Sequence, residues 1–108
     1  MSDESQIEVP ASFRDLYVDA RQRLTIPLRE LAGRYELCED LAHQLVERAR
    51  TVHFSIGVSE DEVLARMHRG LLSPVPMVEA AEAAWVVRRL AELAGWDWAA
   101  WQPDTDDR

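Results

Sequence analysis

The segment Pro27–Ile56, PLRELAGRYELCEDLAHQLVERARTVHFSI, decides the fold of this chain. Apolar side chains recur in it at alternating steps of three and four residues: Leu28, Leu31, Tyr35, Cys38, Ala42, Leu45, Ala49, Val52 and Ile56. The spacing averages about 3.5 residues, which is the period of a helix face that packs against other helices. Most residues between them are charged or polar and suit a solvent-facing surface. The segment therefore predicts one long helix, over about 27–56, as the spine of a small all-α bundle.

Three further helices are predicted around this spine. Pro10 is well placed to open a helix, and the apolar residues around it predict a short N-terminal helix over 11–18. Ser59 and Glu62 have the spacing of a capping box, so a short helix is expected over 60–69. A C-terminal helix is predicted over 77–94, where small apolar residues recur on one face. The resulting single helical domain covers 7–101, with disordered tails at 1–6 and 102–108.

The apolar faces of these helices predict the core. Its expected members are Leu31, Tyr35, Cys38, Leu45, Val52, Leu64, Met67, Val87 and Leu90. Gly33 lies inside the spine and costs about 1 kcal/mol relative to Ala, so a break at this point is an open alternative. The N-terminal helix is too short to be stable alone and must pack on something. It either folds over its own bundle or is exchanged with a second subunit, which would make a homodimer.

Composition limits the classes of function. The 108 residues carry a net charge of −8, from 20 acidic and 12 basic residues. This balance disfavours a nucleic-acid partner, because DNA and RNA binding depends on neutralising phosphates. Cys38 is the single cysteine, so no internal disulfide forms and a buried thiol in a reducing compartment is expected. The longest apolar run, Ala83–Val87, is far too short to span a membrane, and a cytoplasmic location is predicted.

Motifs for catalysis and cofactor binding are missing from the sequence. The glycines stand alone and the chain has no lysine, so there is no phosphate-binding loop of the Walker A type. Glu39 and His43 lie one helical turn apart and supply half a metal site, but an exposed ion pair is the commoner meaning of this spacing. We therefore expect no catalytic residue, no cofactor and no metal, and a protein that is not an enzyme.

Tryptophan and arginine near the C-terminus mark the candidate binding surface. Trp85, Arg88 and Arg89 lie on the side of the last helix away from its small apolar face. Trp85 is either covered by a terminal segment or is an exposed anchor, since Trp and Arg are enriched at interface hot spots. Trp98 and Trp101 belong to a tail that either docks on the bundle or binds a partner. These five residues are the candidate partner-binding site.

Several strings of the sequence resemble a group of small proteobacterial proteins described as "ATPase with chaperone activity". The strings are QIEVP (6–10), SF (12–13), RYELCEDL (34–41), the Gly57-Val58 turn, and WVVRRLAEL (85–93) followed by Gly95-Trp96. The resemblance implies a link to an ATPase or chaperone system. Because no nucleotide-binding motif is present, we expect the protein to work beside an ATPase.

The leading functional prediction is a non-enzymatic protein–protein interaction module or adaptor. The alternative is an acidic regulator of a nucleic-acid process, acting through a helix-turn-helix in Glu60–Leu93 or as a mimic of DNA. Net charge and the prolines between the last two helices count against direct DNA binding.

Overall fold

The computed structural model describes residues 8–98, Trp101 and Pro103. Within this part of the chain the fold is an all-α bundle, whose α-helices are α1 (Ala11–Arg14), α2 (Leu28–Ile56), α3 (Glu60–Leu72) and α4 (Ala80–Ala94). Helix α1 continues into a 3₁₀ turn at Asp15–Tyr17. The predicted tails at 1–6 and 102–108 lie outside the described residues, except for Pro103.

The helices begin and end within about one turn of their predicted limits. Helix α2 runs through Gly33 without interruption, so the alternative of a break there is wrong. Helix α3 passes the predicted stop at residue 69 and ends at Leu72, because Leu71 is buried in the core and stabilises the extra residues. Helix α4 begins at Ala80 rather than at residue 77. Pro76 precedes this start, and the backbone N–H of Glu79 is capped by the Glu82 carboxylate at 2.9 Å.

Local signals at the helix ends explain the tight turns. Helix α2 ends at Gly57 (φ 82°) and α4 at Gly95 (φ 79°), both in the left-handed conformation that glycine adopts without steric cost. Helix α3 begins at Ser59, whose hydroxyl oxygen accepts a hydrogen bond from the Glu62 backbone N–H at 3.1 Å. A short connection between α2 and α3 forces the chain to reverse direction.

The order of the cross-helix ion pairs shows that α2 and α4 run parallel. Arg34 of α2 pairs with Glu82 of α4, and one to two turns further on Glu39 pairs with Arg89. Helix α3 carries the chain back between them and contacts both. The bundle is therefore up, down and up, and α2 and α4 make its most extensive interface.

Small side chains bring α2 and α4 close together. The buried residues of α2 are Leu31, Cys38, Ala42 and Ala49, and α4 buries Ala83 and Ala91 among larger residues. Of the nine residues predicted for the core, six are buried: Leu31, Cys38, Leu64, Met67, Val87 and Leu90. The other three, Tyr35, Leu45 and Val52, are partly buried and pack against that core.

Helix α4 is buried over a wider sector than its small-residue face predicts. Val86, Trp85 and Glu82 are buried along with that face, whereas Met77, which the pattern placed inside, is exposed. The reason is that α1 also packs on α4, with the Phe13 ring against that of Trp85. Segment 18–25, between the 3₁₀ turn and α2, folds into a closed loop with an antiparallel bridge between Val18 and Leu24.

A buried carboxylate joins three parts of the chain. Glu82 is 0% exposed, and it accepts hydrogen bonds from the Arg34 guanidinium (Nε to Oε2, 2.9 Å) and the Tyr17 hydroxyl (2.6 Å). Burial alone would raise the pKa of Glu82, but these donors and the Glu79 N–H outweigh it and hold the pKa below its usual value. Burial beside the same carboxylate raises the pKa of Tyr17 to about 12. The carboxylate is therefore charged at neutral pH and ties α2 and the N-terminal segment to α4.

Removing this charge should destabilise the fold in a pH-dependent way. Because folding lowers the pKa of Glu82, its contribution is complete above the pKa of the unfolded chain and is lost as pH falls through the folded-state pKa. We expect Glu82→Gln to lower the free energy of unfolding by about 2–4 kcal/mol at pH 7, since it leaves Arg34 without its partner. The difference from wild type should shrink as pH falls below about 5, measured by urea unfolding. Exposed Glu47→Gln is the control, and an equal loss in both variants would contradict this role.

Two phenylalanines offer a matched test of the N-terminal segment. Phe13 is 0% exposed whereas Phe54 is 79% exposed. We expect Phe13→Ala to cost about 3–5 kcal/mol, because a buried ring leaves a cavity, and Phe54→Ala to cost less than about 0.5 kcal/mol. Chemical unfolding followed by circular dichroism measures both. Similar costs at the two positions would show that α1 is not part of the cooperative core.

Candidate functional site

The N-terminal segment of the chain packs over Trp85 of its own bundle. The Phe13 ring meets the Trp85 ring edge to face at a centroid distance of 5.1 Å, and Tyr35 meets it at 5.9 Å. The Trp85 indole N–H donates to the Ser12 hydroxyl oxygen at 2.9 Å. Trp85 is only 8% exposed. Trp85 is therefore covered by a terminal segment, as one of the two interpretations predicts, and the interpretation of Trp85 as an exposed anchor is wrong.

A cleft lies between this N-terminal segment and the arginine side of α4. Its volume is about 510 Å³, within the range of ligand-binding pockets. It is lined by Glu8, Val9, Pro10, Ser12, Leu16, Tyr35, Glu39, Ala81, Trp85, Arg88, Arg89, Glu92 and Trp98. We name it the Arg88 cleft. It brings together four of the five predicted partner-binding residues, namely Trp85, Arg88, Arg89 and Trp98.

Arg89 is committed to holding the bundle together. Its guanidinium donates to both carboxylate oxygens of Glu39, with Nε and Nη2 at 2.9 Å from Oε1 and Oε2, and Nη1 lies 3.2 Å from Glu92. The hydrogen bonds from Arg89, together with His43, hold the pKa of Glu39 below its usual value. A bidentate pair of this kind fixes the orientation of both side chains. Arg89 therefore forms part of the wall of the cleft, and the Nε–Nη2 edge of its guanidinium is occupied by Glu39.

Arg88 is held in a different way, by aromatic rings. Its guanidinium carbon lies 5.4 Å from the Trp98 ring centroid and 5.9 Å from that of Trp101. Both distances are within the range of cation–π attraction. The Nε of Arg88 is buried and has no hydrogen-bond partner among the described residues. Arg88 is thus a positioned cation whose buried Nε–H the described part of the chain leaves unpaired.

Trp101 lies behind the cleft and does not line it. Its ring is 5% exposed and meets the His68 ring of α3 at a centroid distance of 5.5 Å. Trp96 likewise folds back. Its backbone N–H donates to the Ala91 carbonyl oxygen, and its ring lies 5.3 Å from that of His53. Of the C-terminal tryptophans, Trp98 is the one that lines the cleft, and Trp101 also lies within cation–π distance of Arg88.

Sequence reasoning missed Glu39, Ser12 and Val9–Pro10 as cleft residues. Glu39 was interpreted as a surface residue paired with His43, and that pair does form at 2.9 Å. Its second partner, Arg89, is fifty residues away, and no local pattern reports such a contact. A signal for the N-terminal segment did exist, because an apolar stretch too short to fold alone must cover something. Its location over Trp85 was not deducible from spacing.

Metal and thiol chemistry are not evident in the described residues. Among residues 8–98, Trp101 and Pro103, no group of three or more His, Cys, Asp or Glu side chains is arranged to hold a metal ion. Cys38 is fully buried, and burial with the nearby charge of Glu82 raises the pKa of its thiol to about 12. A thiol of this kind stays protonated and is a poor nucleophile. No helix within the described part of the chain has the length and apolar character needed to cross a membrane.

Comparison with known proteins returned no match: no family model, no curated protein and no solved structure is similar to this chain at a significant level.

The environment of Cys38 predicts low reactivity. At pH 8, the native protein should react with a disulfide reagent such as dithionitrobenzoate at least about a hundredfold more slowly than the protein unfolded in guanidinium, because the thiolate is scarce and inaccessible. Absorbance at 412 nm follows the released thiolate. Rapid native-state labelling would show that the α2–α4 interface opens easily.

Proposed function

We propose that this chain is a non-enzymatic protein–protein interaction module, and that the Arg88 cleft is its contact surface. The observation that carries the proposal is the state of Arg88, which is held against Trp98 and Trp101 with its buried Nε unpartnered among the described residues. A polar group left unpaired in a folded protein costs free energy unless something else satisfies it. A bound partner is the simplest source of that compensation.

The residues around Arg88 suit an interface. Tryptophan and arginine are the side chains most often found at binding hot spots, which lie in partly desolvated pockets. Cation–π contact with two rings already restricts the Arg88 side chain, so less conformational entropy is lost when it binds. Arg89, Glu39 and Trp85 hold the walls in place through contacts inside the bundle. The cleft is therefore preformed in the free chain.

The resemblance to proteobacterial proteins indicates the class of partner, and the net charge of −8 disfavours nucleic acid as that partner. The resemblance implies that the partner belongs to an ATPase or chaperone system, beside which this chain acts as an adaptor in the cytoplasm. The cleft belongs to a single chain and needs no second copy. A homodimer is proposed only as an additional state.

The alternative function, an acidic regulator of a nucleic-acid process, has less support. A helix-turn-helix needs a recognition helix with a free face, and α4 buries Glu82, Ala83, Trp85, Val86, Val87, Leu90 and Ala91. The half-buried Arg89 on its remaining side is already paired with Glu39. Mimicry of DNA by the acidic surface remains a prediction.

Affinity capture tests the proposed function. The full chain, immobilised through a tag, would be incubated with lysate of its source cell, and the retained proteins would be quantified by mass spectrometry. We expect at least one protein to be captured, and Arg88→Gln or Trp98→Ala to reduce it about tenfold or more, as for loss of a hot-spot residue.

The matched control is Arg48→Gln, which removes an exposed arginine from α2, outside the cleft. All variants must unfold at the wild-type temperature to within a few degrees, measured by circular dichroism. Equal capture by wild type, Arg88→Gln and Trp98→Ala would contradict the assignment of the cleft as the contact surface.

A further inference from the structure

We infer that the outer face of α2 is a second docking surface, which binds a basic amphipathic segment of a partner protein. The inference goes beyond the function proposed for the Arg88 cleft, and none of the residues that carry it lines that cleft. It combines three observations: an exposed but restrained phenylalanine, a row of unpaired carboxylates on the same helix face, and the uninterrupted length of the helix.

Phe54 is the aromatic side chain that the described part of the chain leaves in solvent. It is 79% exposed, although large aromatic side chains are usually mostly buried. Its ring meets the half-buried His53 ring edge to face at a centroid distance of 5.1 Å. His53 is itself held in place, because its Nδ1–H donates to the Val58 carbonyl oxygen at 2.8 Å and its ring packs against Trp96. Phe54 is therefore an exposed ring whose orientation is already restrained, so binding costs it little conformational entropy.

Three carboxylates lie on the same face of α2 as Phe54. Glu36, Asp40 and Glu47 are exposed, and at about 100° per residue each lies within about 40° of Phe54 around the helix axis. None of the three forms an ion pair with any residue among 8–98, Trp101 and Pro103. Glu36 and Asp40 are one turn apart, and like charges at this spacing destabilise a helix. A cationic partner would remove that repulsion.

The charges on this face favour a cationic occupant. Arg50 lies at its edge, so three carboxylates stand against one guanidinium, and the formal charge is −2 with histidine counted as neutral. The net charge of the whole chain, −8, adds to the attraction for a cation. A second copy of this chain is a poor occupant, because it would bring carboxylates against carboxylates. Nucleic acid is disfavoured for the same reason.

The order of these residues along α2 indicates the shape of the occupant. The helix is uninterrupted from Leu28 to Ile56, and Phe54 lies about 27 Å from Glu36 along its axis, at about 1.5 Å per residue. The carboxylates occupy the first part of this length and the aromatic ring its end. A complementary segment therefore carries arginine or lysine along most of its length and apolar residues where it meets Phe54. An amphipathic helix of about five turns has this reach.

The inference is tested by nuclear magnetic resonance titration of the full ¹⁵N-labelled chain with a designed peptide. The probe is an alanine-based helical peptide, made in both chain directions, with arginines at the spacing of Glu36, Asp40 and Glu47 and leucines at the end that meets Phe54. Backbone amide signals of α2 report on the outer face, and the indole N–H signal of Trp98 reports on the Arg88 cleft. We expect one of the two peptides to shift the α2 signals saturably, to leave the Trp98 indole signal in place, and to bind more weakly as salt is added.

Matched variants separate the aromatic contribution from the charge contribution. Phe54→Ala should weaken peptide binding at least about tenfold. Its control is Ile56→Ala, because Ile56 is exposed in the same helical turn but lies about 160° away around the axis. The double variant Glu36→Gln, Asp40→Asn should also weaken binding at least about tenfold and reduce its salt dependence. Glu30→Gln removes an exposed carboxylate of α2 that lies about 120° from Glu36, and it should leave binding unchanged.

Several results would overturn the inference. Equal binding of a peptide in which glutamine replaces every arginine would show that the occupant need not be cationic. Absence of binding by both arginine peptides, or shifts at the Trp98 indole in place of α2, would show that the outer face is not the docking surface. Signals of α2 that move with protein concentration alone would assign this face to self-association. All of these outcomes are distinct from failure of the proposed function, because capture through the Arg88 cleft depends on Arg88 and Trp98 and not on Phe54.

Discussion

The hydrogen-bonded carboxylate of Glu82 is the constraint on which the rest of the structure depends. It accepts from Arg34 of α2 and Tyr17 of the N-terminal segment, and its own backbone belongs to α4. A buried carboxylate is tolerated only when donors surround it, so these three parts of the chain must meet at one point. That requirement sets the register of α2 against α4 and places the 3₁₀ turn beside them. Hydrophobic contact between small side chains brings the helices together, but it does not by itself specify which turn meets which.

The two neighbouring arginines of α4 show how one sequence element serves stability and recognition. Arg89 points toward α2 and is bonded to Glu39, while Arg88 points toward the C-terminal segment and contacts tryptophan rings. Adjacent helical residues are rotated by about 100°, so a pair of identical side chains faces two environments. One guanidinium completes a contact within the fold. The other lies within cation–π distance of two rings, which leave its buried Nε–H unpaired among the described residues.

Periodicity and capping signals in the sequence were sufficient to predict the helical class, the long α2, and the start of α3 after its cap at Ser59.

These local signals were insufficient where contacts between distant residues decide the structure. Glutamate is usually exposed on a helix, and the donors that explain the burial of Glu82 (Arg34, Tyr17 and the Glu79 N–H) are not apparent from its local sequence. Met77 is exposed and Val78 is buried, because α4 starts at Ala80, later than the apolar pattern predicts. Trp85, Arg88, Arg89 and Trp98 were predicted as a binding surface from residue type, and they do line one cleft, although Trp85 lies beneath the N-terminal segment. The glutamates that set the charge of that cleft come from other segments, which a one-dimensional pattern does not connect.

The contacts that fasten the N-terminal segment have a consequence for the order in which the protein is made. Ser12 and Trp85 are 73 positions apart in the chain, and Tyr17 and Glu82 are 65 apart. During synthesis the first of each pair leaves the ribosome long before its partner exists, and contacts between such distant residues form late in folding. The wall of the Arg88 cleft formed by residues 8–16 is therefore missing from a nascent or truncated chain. The cleft therefore forms only after α4 and the segment that follows it have been synthesised and have folded against residues 8–16.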